Sequence, residues 1–381
     1  MTAELPTGNG SFLLGFETEY ASKSAVIAHP DNAAFFLVSL PSIRLRDSAL
    51  FAEWSPSLGH WRFVLGTRVD HHDARAGAAA TGPDVPTMPG VLATSFNKED
   101  RQWKESSVDV VARSWISSGN ATWRFSLARR HRAPSDIERF AWLPTPASGG
   151  LADGNTYVGD RALRVETATT LDFGVDLNGT KWRLRPTVFY SRIDDYIQGT
   201  PYDTTPGITD SVVERVSAMN GDLTPLKFTN VDARLYGLEI EGIYRLSPTL
   251  DIGLRYTQAR GERTDVDDNL YRIAPPRLAL HLDYTRDEWH LRLESVSHDA
   301  QKRVATINGE PRTSGHTRFN LHTRWQPDPR LSVGVGVENV TDKRYQDHMA
   351  GFNRVAESDV ALGERLYGYG RNIYLRLQIR R

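Results

Sequence analysis

The sequence contains no cysteine, and this absence excludes a disulfide scaffold, a thiolate metal site and a cysteine nucleophile. It also lacks any run of about 18 apolar residues, the length that a membrane-spanning helix requires. The sequence also lacks an excess of positive or negative charge, because the formal net charge is −1. This balance argues against a nucleic-acid partner, for which we would expect a basic stripe.

Catalytic motifs are missing too. We find no Gly-x-Ser-x-Gly, His-Glu-x-x-His or P-loop pattern, and we predict neither an enzyme nor a resident cofactor. The segment 1–10 (MTAELPTGNG) lacks the charged and apolar regions of a signal peptide. Either the protein is cytoplasmic, or this is a mature or truncated chain.

What the sequence does contain is a period of two. In 331–337, Leu331, Val333, Val335 and Val337 alternate with small or polar residues, and similar patterns recur along the whole chain. Successive strand residues point to opposite faces, so each such segment has one apolar and one polar face. The mean hydropathy of −0.45 is compatible with a transmembrane barrel, since only every second residue meets lipid.

The connections between these segments alternate in length. Short turns at 57–60, 178–180, 247–249 and 327–329 alternate with long polar stretches at 72–104, 132–162, 196–228, 300–314 and 346–364. This asymmetry favours an antiparallel transmembrane β-barrel over a soluble sandwich or propeller. We predict about fourteen strands, at 11–24, 43–57, 59–71, 106–118, 120–131, 164–178, 180–195, 230–247, 248–262, 275–287, 288–300, 314–327, 329–345 and 366–380.

Several segments resemble motifs of TonB-dependent outer-membrane receptors. Segment 338–345 (ENVTDKRY) resembles the family's penultimate-strand motif, and 370–377 (GRNIYLRL) resembles its closing strand. Further matches are 236–241 (YGLEIE), 132–135 (RAPS) with Glu138, 154–155 (GN) and 164–167 (RVET). These segments follow the family's order across nearly the whole chain. One departure is Arg381, which stands where the family usually ends with an aromatic residue and puts efficient insertion in doubt.

The resemblance implies a 22-stranded barrel with an N-terminal plug domain inside it. Residues 1–381 are then expected to form the C-terminal portion of that barrel as one incomplete domain, without the plug. A complete barrel of about fourteen strands is the alternative. The resemblance also implies a monomer in the bacterial outer membrane, in contact with lipid and coupled to the TonB complex through the missing plug.

Candidate ligand-binding residues lie near strand ends and in loops. His71, His72 and Asp73 form a cluster whose imidazole and carboxylate groups suit zinc, copper or iron. Met88, Met219 and the pair His348 and Met349 are the soft ligands of the predicted loops. Segment 228–234 (FTNVDAR) resembles copper receptors within the family, so copper is one expected cargo.

Three alternative functions remain open, one of which is an outer-membrane enzyme such as a lipase. A ferric-siderophore receptor would use aromatic and cationic loop residues, with candidates Phe140, Trp142, Tyr157, Tyr196, Tyr202, Arg263 and Tyr271. A passive porin-like channel would need neither TonB nor a plug. The leading hypothesis is a receptor that imports a metal ion, such as copper, or a metal chelate.

Overall fold

The computed structural model describes residues 1–145, 153–353 and 357–380. Within these ranges the chain forms sixteen strands and three helices. The strands are β1 (Thr2–Thr7), β2 (Gly10–His29), β3 (Asn32–Leu58), β4 (Trp61–Arg75), β5 (Gln102–Ser118), β6 (Ala121–Arg132), β7 (Tyr157–Val158), β8 (Glu166–Asn178), β9 (Trp182–Pro201), β10 (Leu226–Ser247), β11 (Leu250–Arg263), β12 (Arg277–Arg286), β13 (Trp289–His298), β14 (His316–Asp328), β15 (Leu331–Glu338) and β16 (Asn372–Ile379). The helices are α1 (Thr87–Lys98), α2 (Asp136–Phe140) and α3 (Val212–Met219).

The strands lie side by side in chain order in one sheet, from β1 to β16, with β7 set beside the start of β10. All neighbours along the path are antiparallel, which is the arrangement that successive hairpins produce. The predicted all-β antiparallel architecture is therefore confirmed. The described residues add two strands, β1 and β7, to the predicted set.

The strand register separates the sheet into an apolar face and a polar face. Leu293 lies opposite Leu321, which lies opposite Val337, so three strands share one apolar row. Glu294 and Asn320 form the next pair and point to the other side, where Asn320 Nδ2 donates to Glu294 Oε2 at 2.8 Å. The alternation seen in the sequence thus becomes two chemically different faces of one sheet.

Ion pairs cross-link the polar face. Arg292 donates to Asp283 through Nε and Nη2 at 2.7 and 2.9 Å, and Arg124 Nη2 lies 3.1 Å from Asp176 Oδ1. Such cross-strand pairs stiffen a sheet, although each partly exposed pair contributes at most about 1 kcal/mol. The polar face therefore carries charged side chains of both signs.

Connections at the two ends of the sheet differ in length, as the sequence predicts. Short turns at 8–9, 59–60, 119–120, 179–181, 248–249, 287–288 and 329–330 form the short-turn end. Apart from the tight hairpin at 30–31, the opposite, loop-bearing end carries long connections at 76–101, 133–165, 202–225, 264–276, 299–315 and 339–371. Trp61, Trp182 and Trp289 are the first residues of their strands at the short-turn end and remain exposed, as in an interfacial aromatic belt.

Three of the long connections fold into a compact apolar layer. We call residues 76–101, 133–145 and 202–225 the loop layer. Phe96 of α1, Val216 of α3 and the buried Phe140 and Trp142 belong to one apolar cluster that also includes Ile43 of β3. Trp142 Nε1 donates to the carbonyl oxygen of Val38 at 3.0 Å. These loops are therefore packed against the β2–β3 hairpin.

The two motifs near the C-terminus fasten β15 to β16. Asn339 has a φ of 49°, and its side chain accepts from Lys343 N at 2.9 Å while donating to the carbonyl oxygens of Lys343 and Tyr369. Arg371 N donates to Asp342 Oδ1 at 2.8 Å. The resembling segments thus meet in space and close one loop. Arg381 lies outside the described residues.

We expect Asn339→Ala to lower the free energy of unfolding by about 3 kcal/mol, because three hydrogen bonds of about 1 kcal/mol each are lost. Alanine also tolerates the left-handed backbone less well than asparagine does. Urea unfolding in detergent micelles measures the change. Asn372→Ala is the matched control, since the described side-chain bond of this exposed residue is a single 3.2 Å contact with Glu338. Equal losses in the two variants would contradict the prediction.

Within residues 1–145, 153–353 and 357–380, no helix is both long and apolar enough to cross a membrane.

Candidate functional site

The predicted cluster of His71, His72 and Asp73 lies on β4 near the loop-bearing end. Because successive strand residues alternate, His71 and Asp73 point to one face and His72 points to the polar face. His71 Nδ1 lies 2.9 Å from Ser106 Oγ, and His72 Nδ1 lies 2.6 Å from Asp47 Oδ1. The Asp73 carboxylate accepts from Arg75 of β4 and lies close to Lys104 of β5. The three side chains therefore do not converge on one ion.

The three predicted methionines occupy different environments. Met88 lies in α1 and packs against the apolar cluster of the loop layer. Met219, the last residue of α3, is 56% exposed, and Met349 is 43% exposed. The thioethers of Met219 and Met349 are accessible to a soft ion, whereas that of Met88 contributes to packing.

His348 is buried and both of its ring nitrogens have partners. Nε2 lies 3.0 Å from Glu310 Oε1 and Nδ1 lies 3.1 Å from Thr313 Oγ1. Arg365 Nη1 donates to the backbone carbonyl of the same histidine. This imidazole fixes the 339–371 connection to the 299–315 connection.

Three of the aromatic residues predicted as siderophore contacts are buried. Phe140, Trp142 and Tyr157 are buried, and the first two belong to the apolar cluster of the loop layer. Tyr157 stacks on Phe228 with ring centroids 4.9 Å apart. These aromatic rings pack the interior and do not face a ligand.

Arg139 is a buried cation in the loop layer. Arg139 of α2 lies over the Trp103 ring, 4.1 Å from its centroid, and burial lowers the pKa of its guanidinium to about 10. Its Nε and Nη1 have no hydrogen-bond partner among the described residues. The described contacts of this cation include the rings of Trp103 and Phe140.

Three residues that the sequence did not single out meet on the polar face at the loop-bearing end. β13 ends at His298, β14 begins at His316, and the register pairs the two directly. Asp347 reaches them from the 339–371 connection. One ligand atom from each residue lies within 4.8 Å of the others. We call His298, His316 and Asp347 the His–His–Asp cluster.

The surroundings of this cluster are aromatic and closely packed. The two imidazole rings stack with centroids 4.8 Å apart and an angle of 9° between their planes. His316 also stacks on Tyr345 at 4.5 Å, and Arg318 Nη1 donates to the hydroxyl of that tyrosine at 3.0 Å. Asp347 Oδ1 lies 3.2 Å from His316 Nε2, but the orientation is not that of a hydrogen bond.

A second group of potential ligands is purely acidic. Carboxylate oxygens of Asp203, Asp210 and Glu214 lie within 4.8 Å of one another. Glu214 Oε2 accepts from Ser211 N at 2.9 Å, and Ser211 Oγ accepts from Glu214 N, which completes a capping box. The buried carboxylate of Glu214 therefore caps the N-terminus of α3.

A family model described as TonB-dependent receptor-like β-barrel matches residues 2–340. The chain belongs to the TonB-dependent receptor family. The predicted family is thereby confirmed, over a match that includes segment 236–241 and ends at residue 340, within segment 338–345. Members of this family are outer-membrane receptors and transporters, not an enzyme family.

Solved structures of the family share this fold. The copper transporter OprC superimposes with a TM-score of 0.77 at 17% identity, over 99% of this chain and 55% of that chain. The FrpB iron transporter from Neisseria meningitidis gives 0.65 at 13% identity, over 99% and 54%. A variant of the ferric enterobactin receptor PfeA from Pseudomonas aeruginosa gives 0.61 at 17% identity, over 99% and 60%.

The chain therefore spans little more than half the length of these receptors. At such identities the likeness establishes the fold. A comparison with curated protein sequences gives no match.

Proposed function

We propose that residues 1–381 form the C-terminal barrel portion of an outer-membrane receptor that imports a metal ion or a metal chelate. The two-faced sheet carries this proposal. Its apolar face ends in a tryptophan belt at the short-turn end, and its polar face runs from there to the folded loops. An apolar exterior, a polar interior and long loops at one end are the requirements of a barrel that spans the outer membrane.

In this proposal the polar face surrounds a plug domain supplied by the rest of the receptor. The ligand binds at the loop-bearing end, and TonB pulls on the plug to open a path inward. A concavity of about 290 Å³ on the polar face is bordered by Arg277, His281, Arg292 and Glu294. Charges of both signs keep this path wet without strongly repelling a cation. We infer that the receptor acts as a monomer.

Copper is the cargo that we propose. The exposed thioethers of Met219 and Met349 suit the soft copper(I) ion, and the buried aromatic rings of the loop layer weaken the case for a siderophore. A ferric chelate remains the second candidate, because Tyr202 lies in a long connection at the loop-bearing end; Arg263, next to another such connection, is paired with Asp265.

Uptake in cells tests this function. The encoding locus is expressed in a strain that lacks its own copper and siderophore receptors, with and without TonB. We expect accumulation of radioactive copper that is at least about ten-fold greater when TonB is present, since a closed plug blocks passive entry. Accumulation of a ferric siderophore but not of copper would replace the proposed cargo. Equal accumulation with and without TonB would contradict the receptor proposal.

A conductance measurement addresses the porin alternative. The purified chain is reconstituted into planar bilayers, and single-channel currents are recorded. We expect irregular currents or none, because β1 and β16 are unpaired sheet edges among the described residues. A large, stable and uniform pore would favour a passive channel.

A further inference from the structure

We propose that the His–His–Asp cluster binds one divalent transition-metal ion of the zinc(II) or copper(II) type. His298 and His316 would each contribute an imidazole nitrogen, and Asp347 would contribute a carboxylate oxygen. The physiological meaning of this site rests on the proposed function, because its position on the polar face at the loop-bearing end would place it on the import path.

The first argument is that these donors are buried and unused. Among the residues that the structure describes, His298 Nε2, His316 Nε2 and Asp347 Oδ1 are shielded from solvent and have no hydrogen-bond partner. His316 is only 9% exposed. A buried polar atom without a partner destabilises a fold, and three of them at one point need an explanation. One shared cation would satisfy all three.

The second argument is the separation of the donors. His316 Nε2 and Asp347 Oδ1 are 3.2 Å apart without forming a hydrogen bond. Two ligands of a tetrahedral ion with bonds of about 2.0–2.2 Å lie roughly 3.3–3.6 Å apart. The observed distance lies just below that range, so only a small shift would bring the two atoms to the spacing of two ligands of one ion.

The parallel stacking of the two imidazole rings sets a condition on binding. A metal ion approaches an imidazole nitrogen in the plane of the ring, and two parallel rings 4.8 Å apart cannot both offer that direction to one ion. At least one ring must therefore rotate about χ2, a torsion whose preferences are broad, and rotation of His298 alone would leave the separation of His316 Nε2 and Asp347 Oδ1 unchanged. Binding should break the stacking of His298 on His316.

Neighbouring contacts hold the third ligand in place. Next to Asp347 in the chain, His348 bonds to Glu310 and Thr313, and Arg365 donates to its carbonyl oxygen. These contacts fix the backbone from which Asp347 reaches the strands. His348 therefore helps to hold the segment that carries Asp347.

The donor set identifies the class of ion. Two imidazoles and one carboxylate suit zinc(II), copper(II), nickel(II) or iron(II), whereas calcium and magnesium prefer oxygen alone. No sulfur atom belongs to the cluster, so copper(I) is disfavoured here. This site is thus chemically distinct from the methionines proposed for the cargo.

Metal titration of the full chain in detergent tests the site. Zinc(II) is added in competition with a chromogenic chelator, for the wild type and for His298→Gln, His316→Gln and Asp347→Asn. We expect one tight site in the wild type and an affinity at least about 100-fold weaker in either histidine variant, because each loses one ligand. His60→Ala is the control, since this exposed histidine lies in a turn at the short-turn end.

A spectroscopic measurement keeps the test independent of the variants' folding. Copper(II) bound to the wild-type chain should show electron paramagnetic resonance with coupling to two imidazole nitrogens. A spectrum without nitrogen coupling, or equal zinc affinity in the wild type and His316→Gln, would overturn the site. Binding of phosphate in place of metal would also overturn it. TonB-independent uptake would contradict the proposed function but would not change the result of the metal titration.

Discussion

Phe140→Ala is expected to lower the stability of the loop layer by about 4 kcal/mol, because removing a fully buried phenylalanine costs roughly 3–5 kcal/mol. Phe140 is 1% exposed and belongs to the apolar cluster that joins α1 and α3 to β3. The loss should be local, since the cluster sits on the sheet without forming part of its hydrogen-bonded ladder.

Hydrogen exchange followed by mass spectrometry measures this effect. Peptides from 76–101 should exchange roughly 1,000-fold faster in the variant, at about 1.4 kcal/mol for each factor of ten. Peptides from β12 to β14 should be unchanged. Ile208→Ala is the control, because Ile208 is an exposed apolar residue of the same layer. Faster exchange throughout the sheet would show that the layer and the sheet are one cooperative unit.

Arg132→Met is expected to lower the free energy of unfolding by about 3 kcal/mol. Arg132 ends β6 and donates two hydrogen bonds to each of two carboxylates, those of Glu138 and Glu166. Glu166 is buried and also accepts from Ile197 N at 2.6 Å. Removing the cation leaves two poorly solvated carboxylates together, and breaking a buried pair costs roughly 3–5 kcal/mol. The lower end applies because the arginine side chain is 45% exposed.

Two further variants separate charge from geometry at this point. Arg132→Lys keeps the charge but cannot bind both carboxylates in the same forked way, so we expect about half of the loss. Adding Glu166→Gln to Arg132→Met removes one stranded charge and should recover about 1 kcal/mol. Chemical unfolding in micelles gives all three values. A double variant less stable than Arg132→Met would contradict the explanation by stranded charge.

The sheet was largely predictable because alternation is a local property. Each two-residue period, such as that of 331–337, marks a strand by itself, and the short turns fix which strands are neighbours. The two strands that were missed give no such signal. β1 (TAELPT) includes a proline and has no regular alternation, and β7 is two residues long and pairs in parallel with a distant strand.

The candidate site was harder to predict because it depends on register. His71, His72 and Asp73 are adjacent in the sequence, and this adjacency sends their side chains to opposite faces. His298 and His316 are separated by a long connection and meet only because β13 and β14 pair at their ends. Asp347 arrives from an irregular segment without periodicity, so no pattern in the sequence could locate it.

The β2–β3 hairpin has a further consequence in the proposed membrane. At about 3.3 Å per residue, the 27 residues of β3 extend roughly 90 Å, or about 60 Å along the membrane normal at a 45° tilt. The hydrocarbon core is only about 30 Å thick. The hairpin tip between His29 and Asn32 would therefore stand roughly 30 Å above the hydrocarbon core. Large objects that approach the cell, such as antibodies or phage, would touch this tip before they reach the ligand path.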